Sequence, residues 1–345
     1  MKGLRVINPG LFSTVQDLGR MDYQQFGMPV SGSTDKFAHR IANLLVGNDE
    51  GKAVLEMTIV GGQFVFECDA DIAITGANMT PKLNESLDVG MWRNVRVKCG
   101  DRLTFSSAVN GCRCYLAVSG GFDIEPVMGS RSTYTRAGIG GNEGRTLKKE
   151  DVLPLVEGRV SGKAIGCYLS AGKIPNYKSQ IELRVVLGPQ EDAFTPQGIA
   201  NFFSSVFRVS GDFDRMGYKL EGKKIEHVDS ADIISDGIVA GAVQIPAHGN
   251  PIIMLSDCQT TGGYTKIAHV ITSDLPKIAQ AKAGDEIRFK VVDIAKAHEI
   301  VRKESEFYHD ICVDLERTYL GDDKNMKISV LGKCFQVKVN EIKHR

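Results

Sequence analysis

From Ala53 to Leu116 the chain is broken about every ten residues by Gly, Asn or Asp, with short β-branched or aromatic runs between the breaks. Gln63-Phe64-Val65-Phe66, Ile72-Ala73-Ile74, Val95-Arg96-Val97 and Arg102-Leu103-Thr104-Phe105 are examples. Many short strands at even spacing fit a barrel or a sandwich. They do not fit βαβ units, whose parallel strands need a helix between them. Strand Leu183-Arg184-Val185-Val186-Leu187 restarts the pattern after a stretch of turn formers and charge between Pro154 and Tyr177. At 345 residues there is chain for two such lobes. The expected fold is mainly β: residues 1–165 and 178–292 as two β-barrel lobes, and 293–345 as an extension.

Helices are few. Ser33 or Thr34 is placed to cap one whose stripe is Phe37, Ile41, Leu44 and Leu45, with Gly47 stopping it. Gly188-Pro189-Gln190-Glu191-Asp192 opens a short helix through Ile199 to Phe203. Ile294, Ala297, Ile300, Val301, Phe307, Tyr308, Ile311 and Leu315 fall at helical spacing, so a long amphipathic helix up to Gly321 is expected against the barrel or a partner. A hairpin around Gly332 follows. Gly100-Asp101-Arg102-Leu103-Thr104-Phe105 echoes Gly284-Asp285-Glu286-Ile287-Arg288-Phe289, a faint internal repeat that favours two similar lobes.

Lys+Arg and Asp+Glu balance at 42 each, so no global field recruits nucleic acid or an anionic membrane. No apolar run approaches a membrane span, and Met1-Lys2-Gly3-Leu4-Arg5-Val6 leads into a strand; a cytoplasmic location is expected. The eight cysteines form no C-x-x-C pair and the seven histidines no H-x-x-x-H group, so no protein-built metal site is expected. Gly158 to Lys163 has one residue too few for a P-loop and lacks the following Ser/Thr. Trp92 reads as packing.

Four stretches concentrate reactive groups. Ser256 to Ala268 reads as a loop after the buried strand Ile252–Leu255, where Asp257, Gln259, Thr260, Thr261, Tyr264 and Lys266 supply donors and acceptors and Gly262-Gly263 lets backbone N–H groups approach a ligand. Gly129 to Gly141 carries Arg131, Ser132, Tyr134 and Arg136 between glycines, a cradle for a carboxylate or phosphate. Ser13, Gln16, Asp17 and Arg20 share a short loop, and Asp214-Arg215 forms another charged turn.

Taken together, F-S-T-V-Q-D-L-G-R (12–20), P-V-S-G-S-T-D (29–35), A-N-L-L-V-G-N (42–48), Y-L-A-V-S-G-G (115–121), G-S-R-S-T-Y (129–134), G-P-Q (188–190), D-R-M-G-Y-K-L (214–220) and Q-T-T-G-G-Y-T-K-I-A (259–268) resemble one family. It is the biotin-dependent carboxyltransferase family, also called allophanate hydrolase subunit 2, whose bacterial members include the C-type subunit of 5-oxoprolinase. Thr34 and Thr265 depart mildly from the pattern, and residues after about 293 are less typical. The resemblance implies cyclophilin-like lobes and a companion chain, the B-type subunit or allophanate hydrolase subunit 1, with an A-type subunit as a further partner. It implies ATP-dependent opening of the 5-oxoproline lactam or, with biotin supplied on another chain, carboxyl transfer from carboxybiotin to urea. No lysine sits in an A/V-M-K-M biotin-attachment sequence, and ATP is expected to be bound by the complex. A non-catalytic regulator that binds the companion chain and antagonises a kinase inhibitor is the competing class.

Both reactions activate an N–C=O group through an oxyanion. In the expected site, Gly262 and Gly263 with Thr260 and Thr261 stabilise it, Lys266 or Arg215 offsets the charge, and Asp257 positions water or takes a proton. Arg131 with Tyr134 binds a carboxylate, beside Ser132, Gln259, Tyr264, Ser13, Gln16, Asp17 and Arg20.

Overall fold

A computed structural model describes residues 3–156, 166–319, 323–330 and 333–340, with side chains described through Leu315. The stretch 158–163 and the positions of Gly321 and Gly332 lie outside the described residues. The first lobe contains β1 (Gly3–Asn8), β2 (Phe12–Gln16), helix α1 (Lys36–Leu45), β3 (Val54–Thr58), β4 (Gln63–Phe66) and β5 (Ala70–Asn78). It continues with β6 (Lys82–Leu83), β7 (Leu87–Asp88), β8 (Asn94–Val97), β9 (Arg102–Thr104), β10 (Asn110–Val118) and β11 (Val152–Pro154). Two antiparallel sheets result, ordered β11-β1-β4-β9-β6-β7 and β2-β3-β10-β5-β8. Strand alternation builds the core between them: Leu4, Val6, Phe64, Phe66 and Leu103 from one sheet meet Leu55, Met57, Ile72, Ile74 and Leu116 from the other.

The second lobe contains β12 (Gln180–Leu187), α2 (Pro196–Ser204), β13 (Phe207–Phe213), β14 (Gly217–Glu221), β15 (Asp232–Gly237), β16 (Ala242–Gln244) and β17 (Ile252–Met254). β18 (Thr261–Tyr264), β19 (Lys266–Val270), α3 (Leu275–Ala279) and β20 (Glu286–Val291) complete it. Seven strands close a barrel, β12-β19-β16-β17-β14-β13-β20, sealed by parallel pairing of β20 with β12. The first lobe instead spreads over two sheets, because β1 pairs with β4 and β11 while β2 pairs with β3. β15 and β18 form a separate ribbon beside the barrel.

The repeat in the sequence is a shared turn. Gly100 and Gly284 both take positive φ, 90° and 89°, which glycine adopts without strain. Asp101 and Asp285 each accept a hydrogen bond from the backbone N–H three residues earlier, of Lys98 (2.7 Å) and Lys282 (3.0 Å). Lys148 and Asp151 repeat the same closure at 2.7 Å.

Helix α4 (Ile294–Tyr319) leaves the second lobe and packs against α1 of the first. Ile311 and Leu315 are buried there, Phe307 stacks on Phe37, and the Tyr308 hydroxyl donates to Glu50 at 2.6 Å. The helix thus ties the two lobes together. Strands β21 (Asp323–Val330) and β22 (Lys333–Asn340) pair as the expected hairpin. Trp92 is buried beside Phe37. No helix among the described residues is long and apolar enough to cross a membrane.

The cap of α1 is Asp35, which accepts from Ala38 N at 2.9 Å, and not Ser33 or Thr34. Those two are engaged elsewhere: Ser33 Oγ lies 2.7 Å from His39 Nδ1, and Thr34 N donates to Glu56 at 3.0 Å. His39 is fully buried, and burial pushes its pKa from 6.5 down to about 4. The unfolded chain therefore takes up that proton first as pH falls, so stability is lost between pH 6.5 and about 4. A wild-type urea midpoint that declines across this window, and a shallower decline in His39→Gln, is the expected result.

Candidate functional site

The centre of the molecule is polar because two strands alternate. On β3, Leu55 and Met57 enter the first-lobe core; on β10, Cys114, Leu116 and Val118 do. Glu56, Arg113 and Tyr115 therefore face the other way, toward α1 and the second lobe, and Glu56 is the cross-strand partner of Tyr115. Glu56 accepts from Tyr115 Oη at 2.8 Å, from Thr34 N at 3.0 Å and from Arg215 Nη1. Arg113 Nε lies 3.9 Å away.

Arg215 comes from the turn before β14 and spans the seam. It donates from Nε and Nη2 to both oxygens of Asp257, at 2.9 and 3.1 Å, to Gly32 O at 2.7 Å and to Thr34 Oγ1 at 3.1 Å. Ser31 Oγ donates to Asp257 at 2.7 Å, and Ser31 N to Ser256 O at 2.9 Å. Glu56, Arg215 and Asp257 are 1, 5 and 6% exposed, so these charges are paired in a buried seam. Burial pushes the Glu56 carboxyl up, but Arg215, Arg113 and the hydrogen bonds from Thr34 and Tyr115 outweigh it and leave its pKa below the usual 4.5. For Arg215, burial opposes the charge, and Asp257 with Glu56 more than restores it.

A second set of bonds crosses the seam nearby. Arg113 Nη1 donates to Tyr218 Oη at 2.6 Å and to Ala279 O. Gln280 accepts from the backbone N–H groups of Cys112 and Arg113, at 3.0 and 2.9 Å, and donates to Arg113 O at 2.9 Å and Asp35 at 2.8 Å. The amide of a second-lobe residue thus completes the hydrogen bonding of a first-lobe strand.

The first-lobe loops interlock. Asp17 accepts from Gly19 N (2.8 Å), Ser130 Oγ (2.7 Å), Ser132 Oγ (2.5 Å) and Arg131 N (2.5 Å). Arg20 is fully buried, donates to Ser132 O at 2.8 Å, and leaves Nη1 without a partner among the described residues. Burial lowers the Arg20 pKa, opposed by Asp17 and Asp257, which places Arg20 within electrostatic reach of the seam. Gln16 donates to Thr133 O at 3.1 Å, and its buried Oε1 also lacks a partner among the described residues. Ser13 is buried and donates to Pro9 O at 2.5 Å. Arg131 Nε donates to Ile124 O at 2.6 Å. Burial raises the Tyr134 pKa, as do Asp257 and Cys258, and Arg136 ties the same loop to Asp214 at 3.4 Å.

Residues 256–268 are not one loop. Thr261 to Tyr264 form β18, where Thr261 pairs with Gly237, Gly262 with Asp236 and Tyr264 with Asp232. Gly262 meets a packing need: a Cβ there would lie 2.3 Å from Ile238 Cδ1. Thr260 O accepts from Ile238 N at 2.9 Å, and Gln259 Oε1 is buried without a partner among the described residues. Lys266 is buried on β19; its Nζ donates to Asp236 at 2.6 Å and Gly237 O at 3.3 Å, and its N–H donates to Gln190 Oε1 at 3.2 Å. The Lys266 bond holds the Asp236 carboxyl below the usual range.

The structure therefore gathers Asp17, Arg20, Ser132, Tyr134, Arg215 and Asp257 near the seam and sets Lys266 on barrel strand β19, bonded to the ribbon through Asp236. Sequence reasoning missed Glu56, Arg113, Gln280 and Ser31. The first two carried a signal, a charge inside an apolar strand, V-L-E-M-T and C-R-C-Y-L.

Two strand-built lobes joined by a buried acid–arginine network define a two-subdomain protein with its polar centre at the seam. The family described as carboxyltransferase domain, subdomain A and B, matches residues 26–291, and the chain belongs to this family. The chain is 36% identical to the C subunit of 5-oxoprolinase from Escherichia coli K12 over 308 residues, covering 89% of this chain and 97% of that one. It is 33% identical to urea amidolyase of Saccharomyces cerevisiae over 303 residues, 83% of this chain but 16% of that protein. The crystal structure of the K. lactis urea amidolyase superposes with a TM-score of 0.83 at 28% identity, covering 92% of this chain and 20% of that one.

Proposed function

We propose that this chain is one component of a cytoplasmic, ATP-dependent complex that opens the lactam of 5-oxo-L-proline to L-glutamate. It acts as a hydrolase only with companion subunits of the B and A types. The observation that carries the choice is the 36% identity with the C subunit of 5-oxoprolinase across 97% of that protein's length. ATP enters as a reactant of the complex rather than of this chain alone.

In lactam opening, the oxygen of water bonds to the carbonyl carbon, the ring C–N bond breaks, and a proton passes to the nitrogen. Buried polar groups without partners support chemistry on such a group. Among the described residues Arg20 Nη1 is a donor and Gln16 Oε1 an acceptor without a partner, and the two side chains end on the consecutive carbonyls of Ser132 and Thr133. A donor and an acceptor suit the C=O and N–H of a lactam. Asp257, fixed by Arg215 and Ser31, orients water at the seam. Thr260 and Thr261 supply hydroxyls at the start of the ribbon, and Lys266 supplies charge from β19, with Gln259 and Tyr264 as further polar groups of the same segment. The match to the carboxyltransferase domain family, with the 33% identity to urea amidolyase, favours a second reading, carboxyl transfer from carboxybiotin on another chain to an amide such as urea.

The test is glutamate release from 5-oxoproline by the chain combined with its companion subunits, with and without ATP. Turnover requires ATP and every component. In Lys266→Ala the kcat falls at least about tenfold with assembly intact, as expected for loss of one stabilising charge. No release by a fully assembled complex overturns the proposal, and normal turnover by the variant removes Lys266 from the mechanism.

A further inference from the structure

A cavity of about 570 Å³ lies between the two lobes under α4, lined by Ser31 and Lys36 of the first lobe, Ser256 and Cys258 of the second and Tyr308 of the helix. Its size is that of a small-molecule site. Lys36 and Arg40, one helical turn apart on α1, both line it. Among the described residues neither forms an ion pair. Arg40 Nε is buried and has no hydrogen-bond partner among the described residues, and its guanidinium stands 5.5 Å from the centre of the Tyr308 ring. Lys36 is the first residue of α1, where the helix dipole is already positive. Burial lowers the Lys36 pKa and the neighbouring Arg40 lowers it further, with no carboxylate acting in opposition. The carboxylate lining this cavity, Glu304, bonds to neither of them. Two half-buried cations with no bonded counter-ion among the described residues, beside apolar walls from Val30, Val239 and Leu255, offer an anion a charged, partly desolvated pair of donors.

We infer that this cavity binds a small organic carboxylate, with Lys36 and Arg40 as its anion-binding pair and the ligand's body lying toward Ser31, Ser256 and Cys258. The inference extends the proposed reaction and names the carboxylate of a ring-sized acid as the recognised group. It also assigns that role to this pair in place of Arg131, which does not line the cavity. Asp257 lies between Ser256 and Cys258 and is bonded to Ser31, so a ligand held here has its uncharged end beside the buried seam.

The experiment is calorimetric titration of the full chain with 5-oxo-L-proline, pyrrolidin-2-one, cyclopentanecarboxylate and inorganic phosphate, using wild type, Lys36→Met and Arg40→Met. Far-UV spectra and urea midpoints check folding. The two carboxylates bind the wild type saturably, each substitution weakens them by about tenfold or more, and pyrrolidin-2-one does not bind. Carboxylate affinity equal in all three chains overturns the inference, as does phosphate binding without carboxylate binding, or no carboxylate binding at all. Cyclopentanecarboxylate is not a substrate of the proposed reaction, so its binding stands or falls apart from turnover by the complex.

Discussion

Replacing Arg215 by methionine destabilises the chain by about 3–5 kcal/mol, because it leaves the carboxylates of Glu56 and Asp257 buried without their shared cation. Methionine fills much of the volume, so the loss is chiefly electrostatic. It also removes the bonds to Gly32 O and Thr34 Oγ1 that tie the 30–35 segment to the second lobe. Urea titration at neutral pH reads the change directly. Glu56→Gln combined with Arg215→Met costs less than the sum of the single changes, since removing Arg215 then strands only Asp257 instead of both carboxylates. The pH dependence follows from the sign of the Glu56 shift. In the wild type its pKa is below 4.5, so its contribution is present above that pH and lost as pH falls. In Arg215→Met burial is less opposed, and this acid-side loss shrinks. A change under ~1 kcal/mol, in the range of exposed pairs, would sink the view that the seam is a buried electrostatic joint.

The strands were legible because their alternation and punctuation are local. The turn at Gly100-Asp101 and its echo at Gly284-Asp285 were legible for the same reason: an aspartate three residues after the N–H it accepts from needs nothing from elsewhere in the chain. Glu56 was not. In V-L-E-M-T a carboxylate between apolar neighbours reads as the solvent side of a half-buried strand, and only the arrival of α1 and Arg215 turns that side into an interior. Gly262-Gly263 misled for a related reason. A glycine pair fits backbone contact with a ligand and equally fits a ribbon pressed against Ile238, and the choice depends on β15, about thirty residues away. The cap of α1 went to Asp35 because Ser33 and Thr34 had long-range or histidine partners. The polar loops at 13–20 and 129–141 were visible by composition, and their interlocking through Asp17 was not.

That interlocking sets the other large effect. Asp17→Ala removes one carboxylate that receives four donors, from Gly19, Ser130, Arg131 and Ser132, and destabilises the chain by about 3 kcal/mol. Some of the donors recover water, which keeps the cost below the sum of four charge-assisted bonds. In the proposed complex, turnover falls as well. Asp17 fixes the backbone at Arg131 and Ser132, and Ser132 O holds the buried guanidinium of Arg20. Asp17→Asn separates charge from shape. One amide oxygen still accepts, but its NH2 must face either the Arg131 N–H alone or the Gly19 N–H together with both serine hydroxyls. The first arrangement sets only one fixed backbone donor against the NH2 and keeps three donors on the oxygen, so the amide settles with its oxygen toward Gly19 and the serines and recovers part of the stability. An asparagine variant less stable than the alanine variant, or an alanine variant within ~1 kcal/mol of wild type, would show that this loop holds its shape without the carboxylate.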